Sequence, residues 1–231
     1  MGDSSGDDVI RHRMRDAVFG LQDGLISTLG ALTGIAEGTQ SDHAVVVAGL
    51  VIVGVESLSM AAGSYLSSKA QRDYLERLLR EEEQAIANDP EGEHREIWEM
   101  YRARGYADAE IAIIATRLLS DKRLLLEDMA HKELGICPSW LEDPRGNALV
   151  MGCAYVVGGV VPVLPYLTLA IPRAMPLSIL ATVLALFLIG GLKGRLVKQV
   201  WWRSGLEMLS IAGVAALIGF MIGRLTRAWL A

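Results

Sequence analysis

The chain has little cysteine. Cys137 and Cys153 are the only two, well separated and outside any CxxC pair, so neither a disulfide framework nor a cysteine zinc site can be read. Cys153 falls within an apolar stretch and Cys137 near the edge of one. There is no Walker loop, no GxSxG and no HExxH, which removes the commonest signatures of nucleotide, serine-hydrolase and zinc-protease chemistry. GGLKGR, residues 190–195, lacks the strand that a phosphate-binding turn follows. The opening MGDSSGDDVIRHRMRD lacks the apolar core of a signal peptide, and its sixth residue is not the Ser or Thr that myristoylation needs. Residues 1–14 are expected to be disordered. Strong net charge is also missing. The balance is −5, with the acids in excess mid-chain, which disfavours nucleic acid as a partner and suits cations.

What is present is apolar sequence, unevenly spread. The 231 residues are 52% hydrophobic and 21% charged, with mean hydropathy +0.33. Residues 69–145 hold much of the charge and most of the remainder is greasy. This predicts an all-α integral membrane protein: five transmembrane helices with a helical insertion, cytosolic by the charge rule below, between the second and third, which the family resemblance given below makes a metal-binding one. The divisions are a disordered start over 1–14, spans one and two over 15–68, the insertion over 69–145, and spans three to five over 146–231.

The second span, Ala44 to Leu66, exceeds the roughly 20 apolar residues that cross a bilayer. It runs without proline into SSKAQRDYLERLLREEEQAIA, so one helix is expected to leave the membrane and continue in water as far as Ala87. The first span, Ala17 to Ala36, is rich in glycine, with GxxxG spacing at Gly20/Gly24, Gly30/Gly34 and Gly34/Gly38. Such pairs let helix backbones approach closely, either within one subunit or at a dimer seam. A polar loop, Glu37 to His43, joins the two. The third span, Ala148 to Ile171, is expected to kink or break at Pro162 and Pro165. Pro172, Arg173 and Pro176 are expected to turn the chain into the fourth, Met175 to Leu192, and Leu206 to Gly223 is the fifth. Arg11, Arg13, Arg15, Lys69, Arg72, Lys193, Arg195, Lys198 and Arg203 all fall at one membrane side, which makes that side, and the insertion, cytosolic.

Within the insertion, Asp89-Pro90 reads as an N-cap followed by proline at the first helical position, and Gly105 as a stop. Asp108 is expected to cap the next helix, Ser120 or Asp121 the last, and Gly135 to end it.

Two sets of side chains could carry chemistry. Glu56 lies mid-span and Asp23 interrupts the first span, and an ionisable group inside a membrane points to function. Met60 follows Glu56 by four residues and shares its face. A carboxylate beside a thioether suits a borderline ion such as Fe²⁺, and a buried Glu suits proton exchange. The plainer alternative is a protonated Glu56 bonded to a neighbouring helix, with Met60 as filling. The insertion carries Glu81, Glu82 and Glu83, then Glu93, Glu96 and Glu99 with His94, then Glu127, Met129, His131 and Glu133. Facing helices build di-metal sites from such residues. Charge runs of this kind are more often solvated faces, Met129 more often core, and no clear pair of Glu-x-x-His motifs is present.

RDAVFGLQDGL (15–25), SLSMAAGSYL (57–66), KELGI (132–136) and YVVGGVVPVLPY (155–166) together resemble the vacuolar iron transporter family, from Arg15 to the C-terminus. The resemblance implies a homodimer of five-helix subunits that exports Fe²⁺, and often Mn²⁺, from the cytosol by proton-coupled antiport. The pathway would run along the dimer interface. It implies Asp23 and Met60 as pathway residues, joined here by Glu56, and Glu82, Glu93, Glu96, Met129 and Glu133 as cytosolic metal ligands. The family's second-span acid aligns with Ile52, one turn from Glu56. Glu82 is followed at +3 by Ala85, and Met129 by Ala130, so the family's Glu-x-x-Glu and methionine pairs are incomplete. No cofactor is implied beyond the transported ion; the partners are lipid, metal ions and protons. The membrane would be a bacterial inner membrane or a vacuolar one. A membrane-anchored ferritin-like ferroxidase or iron sensor is the alternative from another class, and a structural membrane protein with a solvated acidic domain a third.

Overall fold

The computed structural model describes residues 4–132 and 143–230, with side chains over 13–132 and 143–229. Among these residues all regular structure is helical: α1 (Ser4–Thr39), α2 (Asp42–Asn88), α3 (Pro90–Ala103), α4 (Asp108–Leu119), α5 (Lys122–Lys132), α6 (Pro144–Thr168), α7 (Ile171–Leu196) and α8 (Trp201–Leu230). Five of them, α1, α2, α6, α7 and α8, are long and apolar enough to cross a membrane.

The chain divides into two compact units. One comprises Ile10–Leu66 and Pro144–Ala231, the other Ser67–Asp143 with the start of α1 up to Val9. α2 is one uninterrupted helix of 47 residues, as the proline-free run requires. α1 is helical from Ser4, so the stretch expected to be disordered is helical from there on. No proline interrupts it, and Asp7 and Asp8 complement the positive end of the helix dipole.

In the first unit, α1 and α6 form the inside. In their most apolar stretches 44% of residues are buried, against 17% for α2 and for α8, whose leucines and valines face outward. One core joins Leu32, Ala36, Val45, Val53, Val163, Tyr166, Ile171 and Ala174 from α1, α2, α6 and α7; another joins Leu25, Leu186 and Ala212. The glycines of α1 serve packing within the chain. A Cβ on Gly20 would stand 2.6 Å from the Met151 carbonyl of α6, and one on Gly34 2.6 Å from the Gly219 carbonyl of α8. Of the two uses open to the GxxxG pairs, the structure shows the intrachain one.

Several boundaries differ from expectation. α6 continues through Pro162 and Pro165, and the buried Ser178 hydroxyl of α7 donates to the Pro162 carbonyl at 2.7 Å. Pro172, Arg173 and Pro176 belong to α7 itself. Pro172 is accepted in the first turn because the N–H it lacks has no helical partner there, whereas Pro176 lies inside the helix. The Glu37–His43 loop shrinks to Gln40 and Ser41, with Gln40 at φ 51°. Asp42 then accepts a bond of 2.8 Å from the Ile171 amide and so caps α7.

The second unit packs α3, α4 and α5 with the end of α2 around Ile86, Ile97, Tyr101, Ile111, Ala115, Leu118, Leu125 and Met129. Asp89 caps α3 by accepting from the Gly92 amide at 2.9 Å, and Gly105, at φ 90°, ends that segment. α4 is capped one residue earlier than expected. Ala107 is the N-cap, its amide bonded to Glu110 at 2.8 Å, while Asp108 pairs with Arg102. Of the two candidates for α5, Asp121 is the cap, accepting from the amides of Arg123 and Leu124. The expected stop at Gly135 lies outside the described residues.

Candidate ion site in the spanning helices

α1 and α2 run antiparallel across a two-residue turn, which sets Asp23 opposite Glu56 and Asp16 opposite Ser64. Asp16 and Asp23 are two turns apart on α1, roughly 10 Å of rise. Glu56, Met60 and Ser64 recur every four residues on α2, and all three are half-buried. The result is a column of polar side chains between two apolar helices. The Ser64 hydroxyl donates to Asp16 at 3.4 Å, and Asp16 is buried. Asp23 and Glu56 are close enough for their charges to interact.

α6 completes the cluster. Tyr155 is fully buried, and its hydroxyl donates to Glu56 Oε2 in a short hydrogen bond. The Ser27 hydroxyl lies 2.6 Å from the same phenol oxygen. A phenol has one proton to give. With that proton on Glu56, Ser27 is the donor to Tyr155, and the chain runs Ser27 to Tyr155 to Glu56. Such chains polarise one another and hold the last acceptor in place. Glycine allows this approach: a Cβ on Gly24 would stand 2.8 Å from the Gly159 amide and collide with the Tyr155 carbonyl.

Asp23 and Glu56 are thus brought together and Met60 lies on the same face of α2 as Glu56. Ile52 is also half-buried on α2. Tyr155 and Ser27 were not among the residues singled out in the sequence. Two signals pointed to them: a tyrosine hydroxyl inside an apolar span needs a partner, and Ser27 lies one turn from Asp23.

In the other unit, Glu82 and Glu93 are buried, at 8% and 5% exposure, whereas Glu96 is exposed. Glu93 Oε2 is buried without a hydrogen-bond partner. Burial, and then the nearby charges of Glu96 and Asp89, push the Glu93 carboxyl above the usual range. Met129 is fully buried in the helical core. Glu133 lies outside the described residues. Among the described residues, no three His, Cys, Asp or Glu side chains are gathered so as to hold a metal ion. α3 and α5 are tied by Tyr101, which donates to Asp128 at 3.0 Å and contacts the Lys132 ammonium, itself 2.5 Å from Asp128.

The profile of the VIT family matches residues 14–224. This chain belongs to the VIT family. Among its relatives, vacuolar iron transporter 1 of Arabidopsis thaliana is 29% identical over 217 residues, covering 93% of this chain and 86% of its own length. Vacuolar iron transporter 2 of Oryza sativa subsp. japonica is 32% identical over 213 residues, covering 90% and 85%. The vacuolar iron transporter of Plasmodium falciparum is 24% identical, covering 92% and 82%. The match to the VIT family spans all five membrane helices, and these relatives are named as transporters, not enzymes.

Proposed function

We propose that this protein is a divalent-metal transporter that exports Fe²⁺, and also Mn²⁺, from the cytosol in exchange for protons, across a vacuolar or bacterial inner membrane. The observation that carries the reading is the pairing of Asp23 with Glu56 inside the spans, with Tyr155 holding Glu56 in place. Two carboxylates taken out of water need compensating charge. A dication does this, and so do protons, so loading one releases the other. Met60 adds a soft ligand suited to Fe²⁺ over Mg²⁺ or Ca²⁺.

The insertion is assigned to the cytosolic side, where Glu82, Glu93, Glu96 and Glu133 collect the ion. The orphaned Glu93 oxygen supports this, since a bound cation would balance it. A homodimer with its pathway at the subunit interface completes the reading, supported by membership of the VIT family and by the outward apolar faces of α2 and α8.

The test is uptake of Fe²⁺, Mn²⁺, Mg²⁺ and Ca²⁺ by proteoliposomes, with and without a pH gradient. The expected outcome is Fe²⁺ and Mn²⁺ flux that rises with an opposing proton gradient. Flux that ignores the gradient removes the coupling, and no flux of either metal removes the function.

A further inference from the structure

Between the start of α1 and the end of α7 lies a groove of about 560 Å³ that the ion site does not use. Its floor is apolar, with Val18 and Phe19 from α1 and Leu196 from α7. Two cations, Arg15 and Lys193, flank it, and Gln22 lies two turns along the same face of α1 from Arg15. Phe19 and Leu196 are each more than half exposed. Arg15 pairs with Asp16 at 3.6 Å, but Asp16 is 7% exposed and also accepts from Ser64, while Arg15 is 69% exposed and keeps its outer face open to the groove. Among the described residues Lys193 has no ion pair.

We infer that this groove is a binding site for an anionic phospholipid. Arg15 and Lys193 stand at span ends on the same membrane side, the depth at which a headgroup phosphate lies. The apolar floor continues from them into the spans, where an acyl chain follows its headgroup. The cations match the phosphate in charge, and the Gln22 amide can donate to its glycerol oxygens. A membrane supplies this ligand at high local concentration, so a shallow groove is sufficient. The inference rests on the five spans and not on the transport reading.

Native mass spectrometry of the full-length protein in neutral detergent tests it, with phosphatidylglycerol and phosphatidylcholine as probes. Wild-type protein is expected to retain phosphatidylglycerol in preference to phosphatidylcholine. Lys193→Gln should lower that retention about fivefold, a basic residue near an anionic headgroup being worth that much. Lys193→Arg should restore it. Lys69→Gln, which removes a lysine that does not line the groove, should bind as wild type does. Equal retention of both lipids overturns the proposal, as does equal loss in Lys69→Gln. Displacement by millimolar inorganic phosphate would show a phosphate site instead, and loss of the dimer mass in Lys193→Gln would show that a second copy fills the groove; either overturns it.

Discussion

Tyr155 is fully buried and joins Ser27 of α1 to Glu56 of α2 through one oxygen. Tyr155→Phe keeps the ring and removes that link, at about 1–3 kcal/mol for a bond to a charged group. Fe²⁺ flux in proteoliposomes should fall roughly tenfold or more, since 1.4 kcal/mol is a factor of ten. In the insertion, Glu93 makes a prediction of opposite sign. Its folded-state carboxyl titrates above the usual range, so its contribution to stability is fully present below the ordinary Glu pKa and is lost as pH rises through the raised value. Metal-free Glu93→Gln should therefore slow hydrogen exchange of the α3 amides at pH 7.5, by about threefold after correction for intrinsic rates, with the difference vanishing toward pH 4. A variant that exchanges faster at pH 7.5 would show that the charged carboxylate has a partner. Glu56 was legible in the sequence because it is the one charge in the 23-residue span from Ala44 to Leu66. Its partner was not, because Tyr155 lies 99 residues away and sequence does not give the rotation of α6 about its axis.

At the scale of elements, close approach of α1 to α6 and α8 sets the site. Gly24→Ala places a methyl against the Tyr155 carbonyl and the Gly159 amide, both backbone atoms that cannot swing aside. Overpacking of this kind costs about 1–3 kcal/mol. Its thermal midpoint should drop by several degrees and its flux should fall with it, since the carbonyl displaced belongs to Tyr155. Gly54→Ala, which meets nothing within 4 Å, should leave both unchanged. Asp42 gives a separate handle. Asp42→Ala removes the cap on the Ile171 amide, at about 1 kcal/mol, and should lower the midpoint by about 2–4 °C. The helices and most caps of the insertion were legible because proline, glycine and aspartate act locally. The points that local sequence left open, whether α6 breaks at Pro162 and Pro165 and where α7 starts, depend on what packs alongside. Ser178 bonds the Pro162 carbonyl from the next helix, and no local pattern announces that.

On the scale of the whole molecule, the chain carries two acid groupings with different surroundings. In the insertion, Glu82 and Glu93 are buried and Glu96 is open; the proposed function uses them to draw a cation from water. Between α1, α2 and α6 the acids are few and placed by hydrogen bonds; the proposed function uses them to pass one cation at a time. The family was legible from four short motifs, but the geometry of the ligand set was not. Met129 shows why: a thioether in a helical core looks the same in sequence as one that binds a metal, and here it packs among Ile97 and Leu125. The central claim is that Asp23 and Glu56 together exchange a metal ion for protons. Its most direct test follows Fe²⁺ entry and proton exit at once in proteoliposomes carrying wild type, Asp23→Asn or Glu56→Gln. The account predicts linked fluxes in the wild type and a loss of both, tenfold or greater, in each variant, about what removing one charge-assisted contact costs. Fe²⁺ flux retained in both variants with proton exit unchanged would contradict it.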